Sequence, residues 1–385
     1  MSKTTATAPD QRSASERVLM LAFELGEAGW LLGFSTGFGQ PVVRRKVASR
    51  DRDAVLRAIE WARRRLGCEK SRVVSCYEAG RDGFWLHRWL VAEGIENRII
   101  DSSSIEVNRR KKRAKTDRLD VTKLVGLLAR YRAGERDAFS IVAVPSVDEE
   151  DLRQLGRELK LLKKDRTRVS HRMKGLLANQ GLTIDLKRDL RVQLEGMRLW
   201  SGEPLPRYLR DRLEHYVEDF DYHTRRIRGL EQRRRERMRA KESPAVEKAW
   251  RLFALRGVGI ESSWTYGTEF FGWREFQNGK QVGSLAGLTP MPFDSGGQSR
   301  EQGIGKDGSR WVRAVAVEQA WAWLRFQPDS ALSKWYQQRF GHGSKRLRKI
   351  GIVALARKLL IALWHWVEHG VLPEGAVLKT NLRLA

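Results

Sequence analysis

Val18-Leu-Met-Leu-Ala-Phe-Glu24-Leu-Gly26 is an apolar run that closes on a carboxylate, and Arg72-Val-Val-Ser-Cys-Tyr-Glu78-Ala-Gly80 repeats the form. Short apolar runs bounded by glycine read as strands. Between them, Gly29 to Phe34 and Pro41 to Val47 read as two more strands. Asp53 to Leu66 has helical apolar spacing at Val55, Ile59, Ala62 and Leu66. Gly83 to Glu93 then reads as a helix, Asn97 to Asp101 as a strand, and a further helix follows. Three strands, helix, strand, helix, strand, helix is the order of an α/β domain with a mixed sheet. Such sheets gather their active sites at the carboxyl ends of strands, which is where Glu24 and Glu78 fall.

A second acidic pair follows in Lys115-Thr-Asp117-Arg-Leu-Asp120. Residues three apart on a helix share a face, so both carboxylates can converge on one divalent ion. The pair comes directly after the basic run Arg109, Arg110, Lys111, Lys112, Arg113, Lys115. Carboxylates that hold a metal beside cations that hold a phosphate backbone are what metal-assisted cutting of nucleic acid needs. The plainer alternative is that Glu24 and Glu78 are turn acids satisfied by backbone N–H groups.

Composition points to a polyanionic partner. Lysine and arginine number 73 against 47 acids, a formal net charge of +26. A second basic cluster runs through Arg225, Arg226, Arg233, Arg234, Arg235, Arg237, Arg239 and Lys241. No apolar stretch escapes interruption at membrane-spanning length, since Arg357 and Lys358 break Ile350 to Val367. Cys68 and Cys76 form neither a CxxC nor a zinc-type array. The first fifteen residues are polar, lack an apolar signal core and read as disordered. The expectation is a bacterial cytoplasmic, nucleoid-associated protein with no membrane partner.

At 385 residues the chain has room for a first domain over 16–145, a helical connector over 146–242 and a carboxyl-terminal domain over 243–385. The connector shows a heptad seam: Leu152, Leu155, Leu159, Leu162, Arg166, Val169, Met173, Leu176. A second, more basic helix is expected from about Arg207 to Lys241. The seam fits a dimerising coiled coil, with an intramolecular hairpin as the alternative.

The last region is mainly α and rich in glycine and aromatics. Gly257-Val-Gly259 resembles the turn by which helix-hairpin-helix modules offer backbone N–H groups to phosphate. Val315 to Phe326 and Lys349 to Glu368 read as helices whose Trp321, Trp323, Trp364 and Trp366 belong to the core. His365 and His369 share a helix face with no third ligand in view. Ser295 lies in a glycine-rich loop, Pro290-Met-Pro-Phe-Asp-Ser295-Gly296-Gly297, and Lys306, Arg310 and Arg313 follow it as candidate phosphate holders. From spacing alone Ser295 is as well explained as a turn residue, because no histidine lies near it to take its proton.

The chain resembles the insertion-sequence transposases with an amino-terminal DEDD domain, the bridge-RNA-guided recombinases. The likeness runs from Val18 to Ala376. It rests on the strand acid Glu24, Tyr77-Glu78-Ala-Gly, Lys115-Thr-Asp117-Arg-Leu-Asp120, Gly287-Leu-Thr-Pro, Ser295-Gly296 and Gly308-x-x-x-x-Arg313. The resemblance implies an RNase H/resolvase-like first domain. In it Glu24, Glu78, Asp117 and Asp120 would bind magnesium, manganese being equally compatible with oxygen ligands. It also implies that Ser295 attacks a DNA phosphate in a composite site, giving a covalent serine–DNA link. Much of that family has aspartate at the first position, so Glu24 is one methylene longer than usual. Further implications are a structured noncoding guide RNA that selects donor and target DNA, and assembly as a dimer or tetramer. Two other readings stand beside this one. The first is a metal-dependent junction resolvase or nuclease with Ser295 structural, and the second is a catalytically silent nucleic-acid-binding protein.

Overall fold

Side-chain alternation decides which helix covers which face of the amino-terminal sheet. The computed structural model describes residues 17–105, 117–295, 298–305 and 307–382, so the amino-terminal segment read as disordered lies outside the described residues. The chain divides into two units, residues 1–144 and 145–385.

The first unit runs β1 (Val18–Leu25), β2 (Gly29–Ser35), β3 (Val43–Ala48), α1 (Arg52–Leu66), β4 (Arg72–Glu78), α2 (Trp85–Ala92), β5 (Glu96–Ile100) and α3 (Asp117–Arg132). Strands and helices fall within two residues of where the apolar runs put them. The sheet order is β3-β2-β1-β4-β5, with β1 antiparallel to β2 and parallel to β4. Along β1, Leu19, Leu21 and Phe23 face one way and pack with Trp30, Leu32, Phe34, Val55 and Ile59. Val18, Met20 and Ala22 face the other way, with Val74 and Cys76, onto Val121, Leu124, Val125 and Leu128 of α3. Period two makes these sets unavoidable once the register is set. Gly33 lets α3 lie against the backbone of β2: a Cβ there would come within 3.0 Å of Val121 Cγ2.

The first helix of the second unit is capped by Ser146. Its hydroxyl accepts from Glu149 N at 3.2 Å, and the Glu149 carboxylate accepts from Ser146 N at 2.8 Å, a reciprocal cap. It starts α4 (Val147–Ala178), followed by α5 (Leu190–Gly196) and α6 (Arg207–Ala240). The heptad seam of α4 is filled within the chain. Leu152 clusters with Met238, Leu159 and Leu162 with Ile227 and Leu230, and Val169 and Met173 with Leu213 and Val217. As α4 ascends its partners on α6 descend, so the two helices are antiparallel. At the polar seam position, the Arg166 guanidinium lies 5.9 Å from the Phe220 ring centroid. The seam that suggested pairing between chains thus takes its apolar partners from α6.

Next come α7 (Pro244–Phe253), α8 (Ile260–Thr265), a π-helical segment (Tyr266–Phe271) and α9 (Gly279–Leu285). The ribbon β6 (Pro290–Ser295) and β7 (Gln298–Ile304) precedes α10 (Arg310–Phe326), α11 (Ala331–Tyr336), a second π segment (Gln337–Gly341) and α12 (Lys345–His369). The connector does not stand apart: Leu152 and Met238 share a cluster with Val246, Phe253 and Trp264. α12 has the length and composition of a membrane span. Its Ile352, Leu355, Leu359, Leu363 and Val367, however, are buried in the main core of this unit with Val312, Ala316 and Trp323 of α10. Trp364 is buried there as expected, whereas Trp321 is 48% exposed.

Candidate active site and nucleic-acid surfaces

β1 and β4 run parallel with Phe23 opposite Tyr77, so Glu24 and Glu78 are the next residues on neighbouring strands, about 4.8 Å apart in the pairing direction. Each continues the set facing α3: Glu24 follows Ala22, and Glu78 follows Cys76. Both line one cleft of about 360 Å³ at the carboxyl edge of the sheet. α3 covers the same face. Its half-buried Asp120 directly precedes Val121, the residue seated over Gly33. Arg44 on β3 donates to Thr122 Oγ1 at 2.7 Å and ties this end of α3 to the sheet. Glu24 and Glu78 thus face the layer that α3 covers, while Asp120 is not among the residues lining the cleft. Asp117 is the first residue of α3, and its side chain lies outside the described residues. Among the described residues, no three of His, Cys, Asp and Glu are grouped closely enough to share one ion. Burial, and then the charge of Glu78, pushes the Cys76 thiol up, which keeps it protonated beneath the cleft.

The turns after β1 and β4 add residues that the strand pattern did not single out. Glu27, Arg81 and Asp82 also line the cleft. Arg81 pairs with Glu27 at 3.3 Å, both well exposed, while the Asp82 side chain is 5% exposed and pairs with Arg50 at 3.4 Å. Arg81 and Asp82 follow Glu78 in a Gly-Arg-Asp-Gly turn, and Glu27 follows Glu24 in a Gly-Glu-Ala-Gly turn, so nearness to the two strand acids is the sequence signal for all three.

Ser295 ends β6, its backbone paired with Gln298 across the Gly296-Gly297 connection. The base of this ribbon is fixed by backbone bonds: Gly305 N donates to Thr289 O at 2.8 Å and Ser309 N to Leu285 O at 2.9 Å. From Thr289 to Ser295 is about 20 Å of strand, so the serine sits at the far end of a two-stranded ribbon. The motif residues Gly287, Gly308 and Arg313 meet at the base. Gly287 has φ +65°, and a Cβ on it would collide with Arg313 Nη1, while one on Gly308 would collide with Leu285 O. Arg313 thus braces the ribbon from below. Lys306 lies outside the described residues, and Arg310 opens α10, exposed.

The comparisons with known proteins bear on this geometry. A model described as the transposase IS116/IS110/IS902 family matches residues 249–337, from α7 through the ribbon to α11. The chain is 38% identical to transposase y4rJ of Sinorhizobium fredii over 382 residues, covering 94% of this chain and 95% of that one. This chain belongs to the IS116/IS110/IS902 transposase family. The transposase is also 30% identical to transposase y4qE of Sinorhizobium fredii, over 78% of this chain and 70% of that relative. It is 23% identical to the transposase for insertion sequence element IS1328 of Yersinia enterocolitica, over 62% of this chain and 69% of that one. Its activity is therefore DNA transposition, and DNA is its substrate.

The basic surfaces of the transposase divide by burial. Arg109, Arg110, Lys111, Lys112, Arg113 and Lys115 lie outside the described residues. Of the three consecutive α6 arginines, Arg233 is exposed and Arg235 half-buried, but Arg234 is 3% exposed and turns inward to Glu261 at 3.6 Å. Three residues in a row cannot share one helix face, so Arg234 is a core cation and not part of a nucleic-acid surface. Burial pushes the Glu261 carboxyl up, yet Lys163, donating at 2.7 Å, and Arg234 outweigh it and hold the group below its ordinary range.

The Gly257-Val-Gly259 turn joins α7 to α8 in a helix-hairpin-helix order, and several polar groups in and beside it are engaged internally. Arg256 N donates to Val377 O, Val258 N to Leu255 O, and Gln319 Nε2 to Gly257 O. Gly257 packs against Phe326, with room for no Cβ. Lys379 donates to Val258 O at 2.8 Å and to Phe253 O, clasping the turn with the carboxyl-terminal segment. His365 and His369 stack around Trp364, at 4.5 and 5.3 Å between ring centroids, and no third ligand joins them among the described residues.

Proposed function

We propose that this transposase cuts and rejoins DNA through a covalent link between Ser295 and a DNA phosphate. In this reading, a resolvase-like acid site made of Glu24, Glu78, Asp117 and Asp120 assists. The observation that carries the reading is the cleft at the carboxyl edge of the sheet, lined by Glu24 and Glu78 on the face that α3 covers. The donors are hard carboxylate oxygens with no sulfur or imidazole among the cleft residues, a set suited to magnesium or manganese. When bound, such an ion supplies positive charge against the phosphoryl oxygens and lowers the cost of a serine alkoxide. Ser295 Oγ forms the bond to phosphorus, the P–O bond to the leaving strand breaks, and the hydroxyl proton passes to solvent as the leaving oxygen takes one up. Rejoining reverses these steps with the hydroxyl of another strand as the attacking group. The long ribbon suits this role, because it carries the serine far from its own unit's core.

Target and donor choice, in the same proposal, is delegated to a structured noncoding RNA, and strand exchange uses a dimer or tetramer. The net charge of +26 supports a second polyanion beside DNA. The test uses the protein purified from its own element with the RNA that accompanies it, sequenced, and incubated with donor and target DNA. One discrete RNA and a detergent-resistant protein–DNA adduct, lost in Ser295→Ala and in Glu78→Gln, are expected. Cleavage that survives Ser295→Ala but fails in Asp117→Ala would instead describe a plain resolvase. Binding without chemistry in the unaltered protein would describe a silent binder, and heterogeneous RNA would remove the guide.

A further inference from the structure

Nine basic and two acidic residues lie between 225 and 241, and α6 sorts them onto different faces. Ile227, Leu230, Arg234 and Met238 face inward. On the opposite side, Arg225, Gly229 and Arg233 follow one another at intervals of four, the spacing of a ridge along a helix. The ridge has a gap where Gly229 stands. Nothing lies within 4 Å of where a Cβ would sit, and the gap opens as a notch of about 240 Å³ lined by Tyr222, Arg225, Arg226, Gly229 and Arg233. Arg226 pairs with Glu158 on α4 at 2.6 Å. Arg225 and Arg233 are exposed and have no carboxylate partner among the described residues. Tyr222, 52% exposed, offers a ring at the amino-terminal end of the notch.

A glycine inside a helix costs about 0.5–1 kcal/mol relative to alanine, and two unpaired guanidinium groups in one row repel each other. Neither feature helps α6 pair with α4, since both lie on its outer side. Both suit one ligand chemistry. An anionic group placed at Gly229 stands about 6 Å along the axis from either arginine and can approach the bare backbone. The planar forks of the two arginines can close on it from both ends.

We infer that the Arg225–Gly229–Arg233 notch is a seat for a phosphodiester group of a nucleic-acid strand, with Tyr222 stacking on an adjoining base. This seat deepens the nucleic-acid reading of the chain and is independent of the Ser295 chemistry. The strand is DNA or RNA, and the test separates the two. The full-length protein is titrated with labelled single-stranded DNA, single-stranded RNA and duplex DNA of one sequence, across a salt series, alongside thermal unfolding.

Gly229→Leu fills the notch with a good helix former. The expected result is an unchanged or higher melting temperature together with about tenfold weaker binding of one of the three probes. Arg225→Gln and Arg233→Gln should each lower the slope of log affinity against log salt by about 0.7–0.9 for that probe. Arg228→Gln serves as the control, because it removes the same charge from the other flank of α6, about 100° around the helix from Gly229. The seat is overturned if Gly229→Leu binds every probe as the unaltered protein does, or if Arg228→Gln changes the slope as much as Arg225→Gln. A change of oligomeric state in Gly229→Leu, with nucleic-acid binding intact, would also overturn it and mark the notch as a protein contact. Loss of the serine adduct with the Gly229 effects preserved would defeat only the catalytic reading.

Discussion

Glu269 sits in the π-helical segment and is 8% exposed. Two arginines of α4 converge on it: Arg153 Nε at 3.1 Å, and Arg157 through Nε at 2.8 Å and Nη2 at 3.0 Å. Arg153 is itself 8% exposed, and its Nη1 already lacks a partner. Arg274 lies 3.6 Å over the Trp273 ring and donates to Glu269 O at 2.6 Å. Burial, followed by the nearby charge of Arg153, lowers the Arg274 guanidinium to about 9, with Glu269 opposing the shift. Glu269 is the carboxylate bonded to this buried positive charge, with Glu150 adding a weaker favourable field at Arg153 and Arg157. Glu269→Ala leaves Arg153 buried without its counterion, a change that costs about 3–5 kcal/mol. The half-exposed Arg157 adds little, since solvent screens it. In a unit of this size about 2–4 °C is lost per kcal/mol, so a drop of roughly 6–20 °C is expected. Denaturant unfolding followed by tryptophan fluorescence reads it directly. Glu269→Gln should lose less, and adding Arg153→Met should recover part of the loss, because an apolar replacement removes the buried charge itself. A Glu269→Ala protein within 1 kcal/mol of the parent would refute the reasoning.

Two further outcomes can be measured on the same material. Burial holds the Lys379 ammonium down to about 8, below its ordinary value of about 10.4. Between these values the unfolded chain binds more protons, so the Lys379 contribution to stability rises with pH across that window and is least below pH 8. The stability difference between the parent and Lys379→Met, measured at pH 7.5, 9 and 10.5, should shift in the parent's favour as pH rises. Gly287→Ala imposes a left-handed conformation that costs an L-residue about 1–2 kcal/mol, and it also displaces Arg313. Its destabilisation should exceed that range and shrink when Arg313→Ala is added, which calorimetry of the three variants would show.

Much of the first unit was legible from residues 18–132. Strand runs of seven or eight residues state their own period, and a carboxylate at the end of an alternating run has its sheet face assigned before any tertiary contact is known. Glu24 and Glu78 follow from that rule. Asp82 was not legible, because a turn has no period and its ion-pair partner Arg50 lies more than thirty residues away. In the second unit the heptad of α4 announced a helix with an apolar seam, but nothing in the spacing names what fills it. Arg234 illustrates the same limit. A run of arginines reads as a solvated surface until the helix is rotated against its neighbour, and then every third or fourth one turns inward.

The sequence by itself determined the order of strands and helices in the first unit, the sheet face of the two strand acids and the charge of the chain. These depend on local periodicity, turn residues and composition. It read Ser295 as a loop residue, and the ribbon that ends on it came only with the structure. Only the tertiary structure decided that α6 covers the α4 seam and that Glu269 holds Arg153 and Arg157. It also decided that the Gly257 turn is closed by Lys379, and that Arg225, Gly229 and Arg233 are left facing outward. Apolar burial carries no direction, so a seam accepts any apolar partner. Which one it meets, and which charges are then turned in or out, is settled when the helices pack.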